Sequence, residues 1–502
     1  MTKRPIHLRR TLTVSVLLLA VFYLLLSIPS PAPIPPRVER SSLARPFLWN
    51  QDARWDSLEA RYAAARTVGC AAVRSTLETN LGNLEVLLAH IEAERLAPSA
   101  PEFSRVEGLF FSLAPLVGVC SDAAQPYLML SSRIRTILKE QSEHWELNER
   151  TTRETLYRLL YGARSAVEEV ILQMPRDHQP PAPLAGRDEP SATPSASLLG
   201  VRIHSGDILV SRGGAPTSAL IARGNDFPGN FSHIALAYVD SASGRLSIIE
   251  SHIERGVAVS STDEYLRDTK LRVMVLRLRS DLPAMLRDPL LPHRAASAMF
   301  QRALARHIPY DFSMDFEDTT KLFCSEVAGF AYRALGVHLW MGMSHLSSPG
   351  LRRWLAAFGV RHFETQEPSD LEYDPQLRVV AEWRDPETLR KDHIDNAVTE
   401  AMLEAAERGM DLSYHWYMLP LARIVKAYSV VLNQFGAIGP IPEGMSASSA
   451  LKHESYAARH EAAAALVRDF SQQFRRDHGY EPPYWELVRM ARKCLEQFMM
   501  KG

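Results

Sequence analysis

Cysteine is scarce in this chain. Among 502 residues there are only four, Cys70, Cys120, Cys324 and Cys494. No two of them form a Cys-x-x-Cys pair, so a thiolate zinc site is not expected. An excess of charge is also missing, because 57 basic side chains meet 58 acidic ones and the formal net charge is −1. There is no basic block and no strip of interleaved aromatic and basic residues, and nucleic acid is therefore not an expected partner. No segment repeats, and long apolar runs are absent but for one near the N-terminus. What the chain does have is 46% hydrophobic residues. That is ample for real cores, and the length calls for two to four modules.

The one long apolar run covers residues 11–28 and carries no charge. Lys3, Arg4, Arg9 and Arg10 precede it in a basic tail, residues 1–10. The run is just long enough to cross a bilayer as a helix, and it also has the form of a signal peptide. Pro29, Pro31, Pro33, Pro35 and Pro36 follow. They suit a stiff spacer, residues 29–50, better than a cleavage site. The expectation is an uncleaved transmembrane anchor with the lipid bilayer as partner. It makes a single pass of the inner (cytoplasmic) membrane, with the tail inside and the bulk on the exported, periplasmic side. Arg37, Arg40 and Arg45 beyond the run keep the charge bias modest.

Residues 51–174 read as a helical bundle. Leu77, Leu81, Leu84, Leu88 and Ile91 recur at helical spacing, as do Leu156, Leu160, Ala163, Val167 and Val170. Such stripes bury one face against neighbouring helices. Cys70 and Cys120 both fall here, and export would allow them to form a disulfide. Residues 175–197 are rich in Pro, Ala and Ser and read as a linker. Residues 198–383 then change character. Strands are predicted at 208–210, 232–239, 246–250, 256–259, 271–276 and 377–381, the second and third joined as a hairpin by the turn Asp240 to Gly244. A helix is predicted over Pro292 to His307. Residues 384–502 return to helix, with stripes at Val398, Met402 and Ala405, at Leu466, Phe470 and Phe474, and at Tyr484, Val488, Ala491 and Leu495. Cys494 lies in the last stripe, where it packs as a small hydrophobe.

The chemistry centres on Phe323-Cys324-Ser325-Glu326-Val327. Cys324 opens an apolar helix through Val327, Phe330, Ala331 and Ala334, with the capping-type residues Asp318, Thr319 and Thr320 before it. A thiol at a helix start feels the positive end of the dipole, which is expected to lower its pKa and raise its thiolate fraction. The alternative is a buried structural cysteine. A thiol nucleophile needs an imidazole to move the proton and a group to orient that imidazole. His233 begins one strand of the hairpin and Glu250 closes the other. His252, two residues after Glu250 and on the same face, is a rival imidazole. The Cys324 backbone N–H is a natural oxyanion donor.

Taken in order, Gly206-Asp207-Ile208, Ser232-His233-Ile234-Ala235-Leu236, Ile249-Glu250-Ser251, Tyr310-Asp311-Phe312 and Phe323-Cys324-Ser325-Glu326 resemble the permuted papain-like amidases of the NlpC superfamily. The similarity is to the YiiX-like hydrolases and, more distantly, to lecithin:retinol acyltransferase. Glu367-Pro368-Ser369-Asp370-Leu371 is similar to the family's closing element. The resemblance covers residues 198–383 and does not reach the flanking helices. It implies an α+β fold, a small antiparallel sheet packed on helices, here flanked by N- and C-terminal helical regions. It implies Cys324 as nucleophile, His233 as general base and acid, and Glu250 as the orienting third member. No cofactor and no metal are expected. The implied function is a membrane-anchored cysteine hydrolase that cleaves an amide (peptide or peptidoglycan-type) or an ester through an acyl-enzyme on Cys324. The alternatives are a lipid acyltransferase or lipid hydrolase with the same triad, an inactive cell-envelope scaffold, and a metal site on His233, His252 and Cys324.

Overall fold

The computed structural model describes residues 5–29, 53–180, 182, 184–186, 188–340 and 342–501. Residues 1–4 of the basic tail, the spacer from residue 30 on, and Pro181 and Pro183 of the linker lie outside the described residues. The first helix, α1, spans Pro5–Ser27. All but the last residue of the anchor expected over residues 11–28 lies in it, with side chains described from Thr13 onward. Among the described residues no helix is long and apolar enough to cross a membrane.

The N-terminal helical region comprises α2 (Ala53–Val68), α3 (Cys70–Ala93), α4 (Pro101–Val119), α5 (Ala124–Gln141), α6 (Arg150–Leu156) and α7 (Ala163–Gln173). A π-helical stretch, Tyr157–Gly162, joins the last two. Both predicted stripes turn inward: Leu77, Leu84, Leu88 and Ile91, and Leu156, Leu160, Ala163, Val167 and Val170, are buried. Cys70 and Cys120 are joined in a disulfide, which ties the start of α3 to the end of α4.

The middle of the chain runs β1 (Leu184–Ala185), β2 (Ser195–Leu198), β3 (Val201–His204), β4 (Ile208–Gly213), α8 (Pro216–Arg223), β5 (His233–Val239), β6 (Leu246–His252), β7 (Gly256–Ser261), α9 (Thr262–Arg267), β8 (Lys270–Leu278), α10 (Pro283–Arg287), α11 (Leu291–Ala305), α12 (Glu326–Arg333), β9 (Ser344–His345), α13 (Pro349–Phe358), β10 (Glu364–Thr365) and β11 (Leu377–Trp383). Seven strands form one antiparallel sheet in the order β1-β11-β8-β4-β5-β6-β7. An α+β architecture with helical flanks is therefore present. The stretch 175–197 corrects the free linker expected there. β1 pairs with β11, Gly186 N–H donates to the Val380 carbonyl at 2.9 Å, and β2 opens a hairpin with β3. These short strands take their hydrogen bonds from distant or following partners, so a Pro- and Ser-rich composition does not announce them.

Alternation along the strands splits the sheet into two buried faces. Ile208, Val210, Ile234, Leu236, Met274 and Leu276 join the main core, which also takes in the N- and C-terminal helices. Leu209, Ala235, Ala237, Ile248, Val273 and Val275 form a second core with Leu198, Ile203 and Tyr265. One glycine is demanded by close approach. Gly256 has φ 68°, and a Cβ there would lie 2.1 Å from the Ile308 carbonyl oxygen. That carbonyl accepts from Val257 N–H at 2.9 Å. The bond brings the Ile308–Tyr310 segment against the end of β7.

The C-terminal region comprises α14 (Pro386–Glu407), α15 (Leu419–Gln434), α16 (Ala447–His478) and α17 (Tyr484–Lys501). Asp385 caps α14 by accepting from the N–H groups of Glu387 and Thr388. The predicted stripe Leu466, Phe470 and Phe474 is not the buried face of α16. Phe470 is exposed, and Tyr456, His460, Ala463, Ala464 and Val467 are buried instead. The inner face is set by where α13, α14 and α17 pack on this long helix. Phe474 stacks on His478 of its own helix.

Buried charges tie the three regions together. Arg272 on β8 donates to Glu168 on α7 and to Asp392 on α14, and all three side chains are almost wholly buried. Arg212 on β4 reaches the same Asp392 at 3.2 Å. Arg223 on α8 pairs with Glu400 on α14, which also accepts from Tyr484 of α17 at 2.8 Å.

Candidate active site

β5 and β6 pair in a register that sets Ala235 opposite Glu250. Two residues on, His233 faces His252 across the pair, and by alternation His233, Glu250 and His252 share one face. The two rings lie 5.9 Å apart. Glu250 is buried between them. His233 Nε2 donates to its Oε2 at 2.9 Å, and His252 Nε2 lies 3.1 Å from its Oε1. Burial pushes the Glu250 carboxyl up, but the imidazole contacts outweigh it and hold the group well below the usual carboxylate range.

The rival imidazoles are not equivalent. Arg255 Nη2 lies 2.9 Å from His252 Nε2, the same nitrogen that faces Glu250. His252 is thus held by both an arginine and Glu250, whereas His233 begins its strand beside the thiol. Burial holds His233 below the ordinary 6.5, against the opposing pull of Glu250. Ser232, the residue before it, offers its carbonyl to the Cys324 thiol at 3.8 Å. Cys324, His233 and His252 line one cavity of about 940 Å³. The structure therefore brings Cys324, His233, Glu250 and the rival His252 to one end of the sheet.

Cys324 sits one residue before the N-cap of α12, which is Ser325, so the helix begins two residues later than expected. Asp318, Thr319 and Thr320 do not cap it. The Asp318 carboxylate accepts from Thr320 N–H and Oγ1 in a turn of its own. Nor is the thiol pKa lowered. With 5% of its surface exposed, burial pushes the Cys324 thiol up to about 12, against a smaller pull from the Ser325 hydroxyl. Desolvation here outweighs the dipole of a short helix. The Cys324 backbone N–H has no hydrogen-bond partner among the described residues.

Several residues that hold the site in place carry no catalytic signal in sequence. Glu326 turns back to accept from Phe323 N–H at 2.8 Å, and burial raises its carboxyl to about 8. Ser251 Oγ donates to the Leu322 carbonyl at 2.6 Å and ties the Cys324 segment to β6. Ser369 accepts from Phe231 N–H at 3.1 Å just before β5. Two quoted motif residues are structural: Asp207 pairs with Arg277 at 2.8 Å, and Asp311 folds its own turn through Ser313 and Asp315. The largest omission is the rest of the cavity lining, from Met418 to Val425 and from Pro440 to Glu454. Apolar residues in helical sequence read as ordinary stripes, and only tertiary packing places them opposite a thiol. Among the described residues, no group of three or more His, Cys, Asp or Glu side chains is arranged to hold a metal ion.

The sheet is antiparallel, and its histidine strand, β5, precedes the cysteine segment in sequence. Residues 202–381 match the model of the permuted papain-like amidase enzymes of the YaeF/YiiX type, the C92 family, and the resemblance seen in the motifs holds for this segment. A solved structure described as metalloprotein yiiX from Escherichia coli O157:H7 is similar at 19% identity, over 34% of this chain and 93% of its own, with a TM-score of 0.28. No curated protein matches the chain.

Proposed function

We propose that this protein is a cysteine hydrolase that cleaves an amide or ester bond through an acyl-enzyme on Cys324, with His233 as base and acid and Glu250 as its orienting partner. The observation that carries the reading is the 2.9 Å contact between His233 Nε2 and Glu250, on a strand that begins beside the Cys324 thiol. Glu250 fixes the ring and leaves Nδ1 to exchange a proton with sulfur. A buried thiol pushed up to about 12, beside an imidazole held below 6.5, makes the resting pair neutral at neutral pH. The proton then leaves sulfur as the S–C bond forms, and Glu250 stabilises the imidazolium. The Cys324 N–H, unpaired among the described residues, can bind the oxyanion. His233 returns the proton to the leaving group, and water splits the thioester.

The test compares acyl-probe labelling in His233→Ala and His252→Ala. His233→Ala should lower labelling by about 10²-fold or more, and His252→Ala by much less. The reverse order would assign the base to His252. His233 must be neutral to act, so the acid limb of the labelling profile should fall below pH 6.5, the ordinary histidine value. A limb above it would contradict this environment.

The protein is further proposed to be attached to the inner membrane through α1, with the catalytic region on the periplasmic side. The charge-free run within α1 and the Cys70–Cys120 bond support this reading. Protein isolated without reductant should resist carbonate extraction from membranes. After denaturation it should titrate as two thiols, Cys324 and Cys494. Four titratable thiols would sink export, and carbonate release would sink attachment.

A further inference from the structure

The cavity holding Cys324 is completed by the C-terminal helices. Leu421, Ala422 and Val425 of α15 and Ile441 and Met445 beyond it supply an apolar part of its lining. At about 940 Å³ the cavity is at the large end for a small-molecule site, ~300–1,000 Å³. Two of its cations are already engaged: Arg255 on His252 and Ser260, and Lys270 on Asp268 at 2.6 Å. What remains open along α15 is hydrocarbon.

α15 also carries an apolar outer surface. Ile424, Tyr428 and Val431 are about half exposed and Phe435 is 83% exposed, with Trp416 exposed just before the helix. A contiguous apolar patch of this kind marks an interaction surface. Its neighbour is α1: the Tyr23 hydroxyl donates to the Tyr417 carbonyl at 2.8 Å. Arg423 donates to the carbonyls of Leu26 at 2.8 Å and Ile28 at 2.7 Å, at the C-terminal end of α1. The outer surface of α15 is therefore continuous with the exposed leucines of α1. Leu421 belongs to both surfaces, since it lines the cavity and is 55% exposed. The apolar outer surface of α15 and the cavity of Cys324 therefore meet at Leu421.

We infer that the acyl group taken up by Cys324 is the fatty acyl chain of a membrane lipid, seated against Leu421, Val425 and Ile441, and that α15 lies on the bilayer from which it comes. A helix with one apolar face rests in this way at an interface. The inference rests on the proposed role of Cys324. In the step, sulfur bonds to the acyl carbonyl carbon and the carbon–oxygen or carbon–nitrogen bond to the rest of the lipid breaks. The thiol proton passes through His233 to the leaving oxygen or nitrogen, and water then releases the fatty acid and restores the thiol.

The test uses full-length protein in phosphatidylethanolamine/phosphatidylglycerol vesicles with p-nitrophenyl acetate, p-nitrophenyl dodecanoate and a peptidoglycan stem peptide. Wild type should favour dodecanoate over acetate in kcat/KM by about tenfold or more, and Leu421→Asp and Val425→Asp should each reduce that ratio by about tenfold. Leu421 is more than half exposed, so its substitution leaves the core intact. Equal use of the two esters, a ratio unmoved in both variants, or preference for the stem peptide overturns the lipid assignment and leaves the thiol hydrolase standing. No turnover of any substrate together with no labelling of Cys324 overturns both. Brominated acyl chains should quench a fluorescence component that Trp416→Phe removes, and absence of that quenching overturns the docking of α15.

Discussion

Cys324→Ala is expected to lower turnover by about 10⁴-fold or more and to erase labelling by an acyl-directed thiol probe. The proposed covalent intermediate has no other thiol to form on, because Cys494 lies on α17, outside this cavity, and Cys70 and Cys120 are bonded to one another. The substitution removes one buried atom whose partners, the Ser232 carbonyl at 3.8 Å and the Ser325 hydroxyl at 4.0 Å, are distant. The fold should therefore survive, and thermal unfolding of the variant should stay close to wild type. Labelling that persists at wild-type level in a folded variant would remove Cys324 from the mechanism and return the site to the inactive-scaffold reading.

The second large effect concerns stability. Arg272→Ala should destabilise the protein by about 3–5 kcal/mol, read as a lower midpoint of denaturant unfolding. The guanidinium is shared by Glu168 and Asp392, each about 1% exposed or less. Its removal leaves both carboxylates with less compensation in a desolvated place. His393, 3.2 Å from Glu168, and Arg212, 3.2 Å from Asp392, replace only part of it. Because α7, β8 and α14 meet at this one side chain, the loss should loosen the N-terminal helices, the sheet and the C-terminal helices together. A cost under about 1 kcal/mol would mean that apolar packing alone joins the three.

Much of the sheet was legible because its signals are local. The Asp240 to Gly244 turn between two apolar strands announces a hairpin, and alternation in β8 separates Val273 and Val275 from Met274. The order of His233, Glu250 and Cys324 was legible as a motif series, and the register of β5 on β6 turns that order into proximity. Three features depended on tertiary context. Asp318 to Thr320 have capping chemistry but spend it on their own turn. The thiol of Cys324 has a helix behind it, yet its burial decides its protonation. The apolar residues of α15 have the pattern of a core helix, and in the fold they divide between a cavity lining and an outer surface. Residues 175–197 show the same limit from the other side, since strands of two and four residues carry too little periodicity to be seen before their partners are known.

The Cys70–Cys120 bond sets a condition on the distant Cys324. Its partners are 50 residues apart, and closing a loop of that order contributes roughly 3–5 kcal/mol. A medium oxidising enough to keep that bond is one in which an accessible thiolate is consumed as sulfenic acid and its further oxidation products. Cys324 is 5% exposed and its thiol is pushed up to about 12, so in such a medium it is kept in the protonated form. On the proposed mechanism the raised thiol pKa, a handicap for attack, is also chemical armour: the thiol would become reactive only when His233 takes its proton, and an oxidant would find it inert in between.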